Sequence, residues 1–127
     1  MLLFGRMAKV LLVDDDQNLR KLYMDELTLM GAQVFAATTG QEGLEKALVL
    51  NPDIILLDVI LPEKIGLTVL KELKTDERTK NIPVVVLSNF DQGDNPKKAV
   101  ELGAAAFFSK QKLTPAQIAK EALSLLA

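Results

Sequence analysis

Residues 10–20, VLLVDDDQNLR, run four apolar side chains straight into three adjacent carboxylates. Asp14, Asp15 and Asp16 repel one another in that position, so the juxtaposition needs a physical reason. The run Val10–Val13 shows no polar alternation, which is the pattern of a strand covered on both faces, as in a parallel sheet. Similar runs follow at Ile54–Leu57, Val84–Leu87 and Ala104–Phe108, and a weaker one at Gln33–Ala37 completes a set of five.

Helical patterns lie between these runs. Leu19, Leu22, Tyr23, Leu27 and Met30 recur at helical spacing, and Gly31 stands where a helix ends in a left-handed residue. Thr39 with Glu42 reads as a capping box ahead of Leu44, Ala47 and Leu48. Leu67, Leu70 and Leu73 mark a third helix, and Asn95-Pro96 opens a fourth that stops at Gly103. Thr114-Pro115 with Gln117 opens the fifth. There Leu113 and Ile118 form a hydrophobic staple, and Ile118, Ala122, Leu125 and Leu126 line one face. Five alternations with short connections predict an α/β fold: a flavodoxin-like, doubly wound, five-stranded parallel sheet of order 2-1-3-4-5 with five helices.

Composition narrows the chemistry. The 127 residues make one domain, 49% hydrophobic and 25% charged, with a net charge of −2. No basic excess points to nucleic acid as a direct partner, and no apolar stretch reaches membrane-spanning length. The opening MLLFGR is too short and lacks a cleavage site for a signal peptide, so a cytoplasmic protein is expected. Residues 1–7 read as an N-terminal extension, with Met7 as the natural start, and 8–127 as the domain. Cys and His are both absent. Common zinc sites, thiolate chemistry and Ser-His-Asp triads are thereby excluded. Carboxylates, lysine, hydroxyls and a hard metal ion remain.

The predicted topology explains the acids. Asp14–Asp16 follow the first strand, Asp58 closes the third in IILLDV, Ser88 and Asn89 follow the fourth, and Lys110 follows the fifth. All fall on the carboxyl edge of the sheet, where open α/β folds bind ligands at the reversal of strand order. In the predicted order that reversal separates the first and third strands, so Asp14, Asp15 and Asp58 converge. Three such carboxylates need a counter-charge, and all-oxygen donors select Mg²⁺ or a similar cation. Lys110 adds an ammonium and Ser88 a hydroxyl, a set suited to phosphoryl transfer, with Asp58 as the nucleophile that forms an acyl phosphate. Asp16 is expected to cap the first helix instead.

Four segments, KVLLVDDD (9–16), PDIILLDVILP (52–62), PVVVLSN (83–89) and GAAAFFSK (103–110), resemble in order and spacing the receiver domains of two-component response regulators. The likeness covers Ala8 to the C-terminus, and the length is similar to the single-domain chemotaxis and sporulation types. The resemblance implies that Asp58 is the phosphoacceptor, that Asp15 binds Mg²⁺ directly, and that Asp14 does so more through water. It implies the Ile60 backbone carbonyl as a further ligand, Ser88 as the switch hydroxyl, Phe107 as the switch aromatic and Lys110 as the partner of the phosphoryl group. A sensor histidine kinase or a phosphotransfer protein is the implied donor. The implied output is a downstream protein, or a further domain, reached through the fourth helix, fifth strand and fifth helix. Such a chain is a regulator rather than an enzyme, limited to self-catalysed phosphotransfer and dephosphorylation.

Some positions depart from the family pattern. Gln111 replaces the proline that usually follows the lysine through a cis bond, so a trans peptide is expected here. Ile65 occupies a usually acidic position, and Asn89 one where Ala or Gly is usual. Ile60 and Phe90 lie two residues beyond Asp58 and Ser88, and both are apolar. They are expected to shield an acyl phosphate and slow its hydrolysis. Lys97 and Lys98 are expected on a solvated helix face. Two other functions fit part of the sequence. Gln111 and Ile65 leave room for a pseudo-receiver, a docking module that is not phosphorylated. Asp14-x-Asp16 fits a fragment of a haloacid dehalogenase-type phosphatase, which leaves Asp58 without a role. A flavin site is disfavoured, because no phosphate-cradling loop follows the first strand.

Overall fold

A computed structural model describes residues 2–3, 5–61, 65–89 and 96–126. An antiparallel hairpin, Leu2–Leu3 against Arg6–Met7, precedes the main sheet. The sheet strands are β1 (Lys9–Val13), β2 (Gln33–Ala37), β3 (Ile54–Asp58), β4 (Val84–Ser88) and β5 (Ala106–Ser109). They are all parallel and lie in the order β2-β1-β3-β4-β5. The helices are α1 (Gln17–Leu29), α2 (Gly40–Leu50), α3 (Gly66–Thr75), α4 (Pro96–Glu101) and α5 (Pro115–Ser124). The predicted fold class and strand order are both observed.

The apolar runs are continuous because both faces of the sheet are covered. Leu11, Val13, Ile55, Leu57, Val84 and Val86 pack towards α2, α3 and α4. Val10, Leu12, Ile54, Leu56, Val85 and Leu87 pack towards Tyr23 and Leu27 of α1 and Ile118 and Ala122 of α5. Each fully buried side chain of this size contributes about 1.5–3 kcal/mol of transfer free energy. Register then sets the ligand edge. Val13 pairs with Leu57, so Asp14 lies level with Asp58, which in turn pairs with Leu87. Ser88 pairs with Ser109, one step short of Lys110. The backbone ladder runs past the strands, with Asp14 N–H donating to the Ala37 carbonyl (3.0 Å) and Lys110 N–H to the Ser88 carbonyl (2.7 Å).

Most helix ends match the sequence pattern. Asp16 caps α1 by accepting from Leu19 N–H at 3.0 Å. Gly31 takes a φ of 90° just past its end. Thr114 and Gln117 form the full capping box of α5. At α2 only half of the expected box forms. Thr39 Oγ1 accepts from Glu42 N–H (3.1 Å), but Glu42 Oε1 accepts from Thr38 N–H (2.7 Å), not from Thr39. Thr38 offers its hydroxyl as well, and Lys46 holds the other carboxylate oxygen at 3.0 Å, so the side chain is satisfied one residue further back. The apolar face of α5 is also corrected. Leu123 is buried and Leu125 is 44% exposed, because the helix closes with i→i+3 bonds at Leu125 and Leu126. That tighter turn breaks the 3.6-residue register. On α1 and α2, Leu22 and Leu48 are exposed, each one position off the buried face set by Tyr23 and Ala47. The strand expected at 104–108 begins at Ala106. Asn95, expected to open α4, lies outside the described residues, while Gly103 beyond its end has a φ of 101°.

Candidate functional site

β1 and β3 deliver their terminal acids to one point. Asp14 is fully buried, its Oδ1 accepting from Asp16 N–H at 2.9 Å and its Oδ2 from Lys110 Nζ at 3.1 Å. Asp58 Oδ1 accepts from Ile60 N–H at 3.2 Å, and its Oδ2 accepts from the same Lys110 Nζ at 2.9 Å. Asp15 is exposed, yet one of its oxygens lies within 4.8 Å of oxygens from Asp14 and Asp58. Four predicted residues, Asp14, Asp15, Asp58 and Lys110, are therefore gathered, although Lys110 is 96 residues from Asp14 and 52 from Asp58 along the chain.

The electrostatics are those of a crowded, partly dry cluster. Burial pushes the Asp58 carboxyl above its ordinary value, with Lys110 opposing and Asp14 reinforcing the rise. Burial works against the Lys110 charge, but Asp58 and Asp14 outweigh it and hold the ammonium above its usual range. Among the described residues, the three grouped carboxylates have one ammonium, Lys110, paired with two of them, which leaves an excess of negative oxygen donors. That hard donor set fits a divalent cation such as Mg²⁺, with Asp14, Asp15 and Asp58 able to hold it.

The remaining predicted residues take other places. Ser88 is buried at the end of β4, joined to the cluster through its carbonyl and Lys110 N–H. Ile60 is tied to Asp58 by its N–H, while its side chain is exposed and its backbone bridges Ile65. Phe107 is not in the carboxylate cluster. It packs half-buried on the α2–α3–α4 side, Phe108 packs on the other side, and both line a groove with Pro96, Lys112 and Leu113. Lys97, Lys98 and Asn89 are exposed, and Phe90 lies outside the described residues. The Lys110–Gln111 peptide is trans, as expected from the missing proline.

Three contributors escaped the sequence reading. Arg20 Nη1 donates to the Asp14 carbonyl at 3.0 Å and pins the acidic loop to the first turns of α1. Gly66 N–H donates to the Val59 carbonyl at 2.6 Å, bringing the start of α3 onto the end of β3. Tyr23 lies beneath Lys110, its ring centroid 6.0 Å from Nζ. The cation shortly after the acids and the glycine opening α3 were visible signals, but the Tyr23–Lys110 contact has no local signature.

Comparison with known proteins agrees with this architecture. Residues 10–122 match the response regulator receiver domain. The polar-differentiation response regulator DivK of Brucella ovis is 34% identical over 106 residues, 84% of this chain and 86% of that protein. The DNA-binding dual master transcriptional regulator RpaA of Synechocystis sp. is 36% identical over 104 residues, 82% of this chain, which spans 43% of that longer protein. Among solved structures, the chemotaxis response regulator CheY4 of Vibrio cholerae superposes with a TM-score of 0.85 at 27% identity, covering 95% of this chain and 99% of that one. The chain belongs to the response regulator receiver domains of two-component systems. No helix among the described residues is long and apolar enough to cross a membrane.

Proposed function

We propose that this receiver domain, residues 8–127 with 1–7 as an extension, is a cytoplasmic, Mg²⁺-dependent phosphoacceptor. Its donor is the phosphohistidine of a sensor histidine kinase or phosphotransfer protein. An Asp58 carboxylate oxygen attacks the donor's phosphorus. The bond from phosphorus to the imidazole nitrogen breaks, its electron pair stays on that nitrogen, and Asp58 carries an acyl phosphate. Lys110 offsets the charge on the phosphoryl oxygens, and the Ser88 hydroxyl donates to one of them. Asp14, Asp15, Asp58 and the Ile60 carbonyl would hold Mg²⁺, which when bound would supply further positive charge to the transferred group. As Ser88 turns toward the phosphoryl group, Phe107 moves into the space it leaves. That biases the α4–β5–α5 face towards a downstream protein. Ile60, exposed beside the Asp58 carboxyl, is one half of the apolar shield that slows hydrolysis.

The observation that carries this reading is the shared ammonium. Lys110 Nζ bridges the Asp14 and Asp58 carboxylates, from β1 and β3, at the reversal of strand order. The test is intact-protein mass spectrometry after incubation with acetyl phosphate and Mg²⁺. Wild type gains the mass of one phosphoryl group, and Asp58→Ala gains none. Labelling of both, or of neither, overturns the reading.

Metal binding is checked separately by thermal melting. Mg²⁺ at 100 times its dissociation constant stabilises the wild type by about 2.7 kcal/mol, and EDTA reverses the shift. Asp15→Asn removes most of that response while leaving the metal-free stability nearly unchanged, because Asp15 is exposed. A melting temperature indifferent to Mg²⁺ in the wild type contradicts the assignment.

A further inference from the structure

Tyr23 is the only tyrosine in a chain without tryptophan. It lies on the buried face of α1, 1% exposed, among the apolar side chains shared with α5. A phenyl group would fill that apolar space as well. What packing does not explain is the ammonium over the ring: Lys110 Nζ stands 6.0 Å from the centroid, at the outer limit of a cation–π attraction. Among the described residues the Lys110 ammonium therefore meets the carboxylates of Asp14 and Asp58 and the aromatic face.

The ring differs from the carboxylates in one respect. The quadrupole of the ring does not change when Asp58 exchanges a carboxylate charge for a phosphoryl group, or when a cation competes for the acidic oxygens. A lysine on a flexible four-carbon stem gains a fixed point of attachment that survives each state of the site. Burial pushes the Tyr23 phenol above its ordinary value, so the ring stays neutral and acts through its face.

We propose that Tyr23 is a positioning residue whose ring face holds the Lys110 ammonium at the Asp14–Asp58 pair. The inference rests on the phosphoacceptor reading for its kinetic consequence, but not for the contact itself.

The experiment compares wild type, Tyr23→Phe and Tyr23→Leu. Phosphorylation by acetyl phosphate with Mg²⁺ is timed, and the Lys110 ε-methylene protons are followed by NMR without a phosphodonor. Tyr23→Phe keeps the ring and is expected within about twofold of the wild-type rate, with the same ring-shielded ε-methylene shift. Tyr23→Leu keeps an apolar core but is expected to slow phosphorylation about fivefold, the equivalent of about 1 kcal/mol, and to lose the shielding. Urea denaturation of both variants separates this from a loss of stability, which would not move the ε-methylene shift in the folded protein. A Tyr23→Leu variant with wild-type rate and shift overturns the proposal, as does a Tyr23→Phe variant as slow as Tyr23→Leu. Should the wild type accept no phosphoryl group, the phosphoacceptor reading falls, and the shift decides Tyr23 alone: shielding kept in Phe and lost in Leu upholds the contact, and shielding unchanged in Leu refutes it.

Discussion

Lys110→Met is expected to lower stability by about 3–5 kcal/mol at neutral pH in the presence of EDTA. The Lys110 side chain is 3% exposed and serves Asp14 and Asp58, whose side chains are 0% and 8% exposed. Methionine fills the space of the stem but leaves two buried carboxylates facing each other without a cation. Lys110 is held above its usual range, so its own contribution is present throughout the neutral range and fades only as pH rises past the lysine value. Asp58 runs the other way. Its folded value is raised, so the folded state holds a proton that the unfolded chain has already released, and stability falls as pH rises through that interval. Removing Lys110 pushes Asp58 up further, which widens the interval. The deficit of Lys110→Met should therefore shrink on acidification, and Asp58→Asn in the same background should recover most of it at neutral pH. Urea denaturation of the two single variants, the double variant and wild type at two pH values measures all of this. A Lys110→Met loss that is independent of pH and untouched by Asp58→Asn would show that the ammonium is not compensating these acids.

What the sequence could and could not disclose follows from the range of each interaction. Val10–Val13 and Ile54–Leu57 were readable as buried parallel strands because a run apolar at every position has no solvent face. Strand order then placed Asp14, Asp58 and Lys110 on one edge, since a parallel sheet sends every strand's end the same way. Asp16 and Thr114 were readable as caps, because a cap and its N–H partner are three residues apart. The misses concern competition and close approach. Glu42 had two sets of donors within reach, and only the folded geometry chose Thr38 over Thr39. Leu125 fell off its face because the last turn of α5 tightened. Tyr23 was legible as a helix-face residue but not as a neighbour of Lys110, because that contact depends on where the fold sets α1 relative to the residue that follows β5. Arg20 and Gly66 act on backbone carbonyls, which the sequence does not distinguish from one residue to the next.

Gly66 gives the second large effect, and its sign is the reverse of the usual one. Replacing glycine by alanine in a helix normally stabilises by up to about 1 kcal/mol, through helix propensity and a less flexible unfolded chain. Gly66 opens α3 against the end of β3, where an added Cβ would meet the Asp58 carbonyl oxygen and stand 2.7 Å from Val59 Cα and 2.9 Å from the Val59 carbonyl oxygen. All three are backbone atoms, so no rotamer change relieves the overlap. Either α3 withdraws, breaking the Gly66 N–H bond to Val59 at 2.6 Å, or the backbone carrying Asp58 shifts. Gly66→Ala is expected to lose about 3 kcal/mol, the upper part of the range for overpacking. Because Asp58 and the Ile60 backbone ride on the displaced segment, Mg²⁺ affinity should fall about tenfold in the same variant, as for other groups that orient metal ligands. Gly43→Ala is the control. On α2, its Cβ would press on the two methyl groups of Val13, at 2.9 and 3.1 Å. Those are side-chain atoms and not the backbone that carries Asp58, so that variant should lose less stability and keep its Mg²⁺ affinity. Urea denaturation with calorimetric Mg²⁺ titration distinguishes the two. A Gly66→Ala protein as stable as wild type, or one that is destabilised yet binds Mg²⁺ normally, would mean that the start of α3 does not set the position of Asp58.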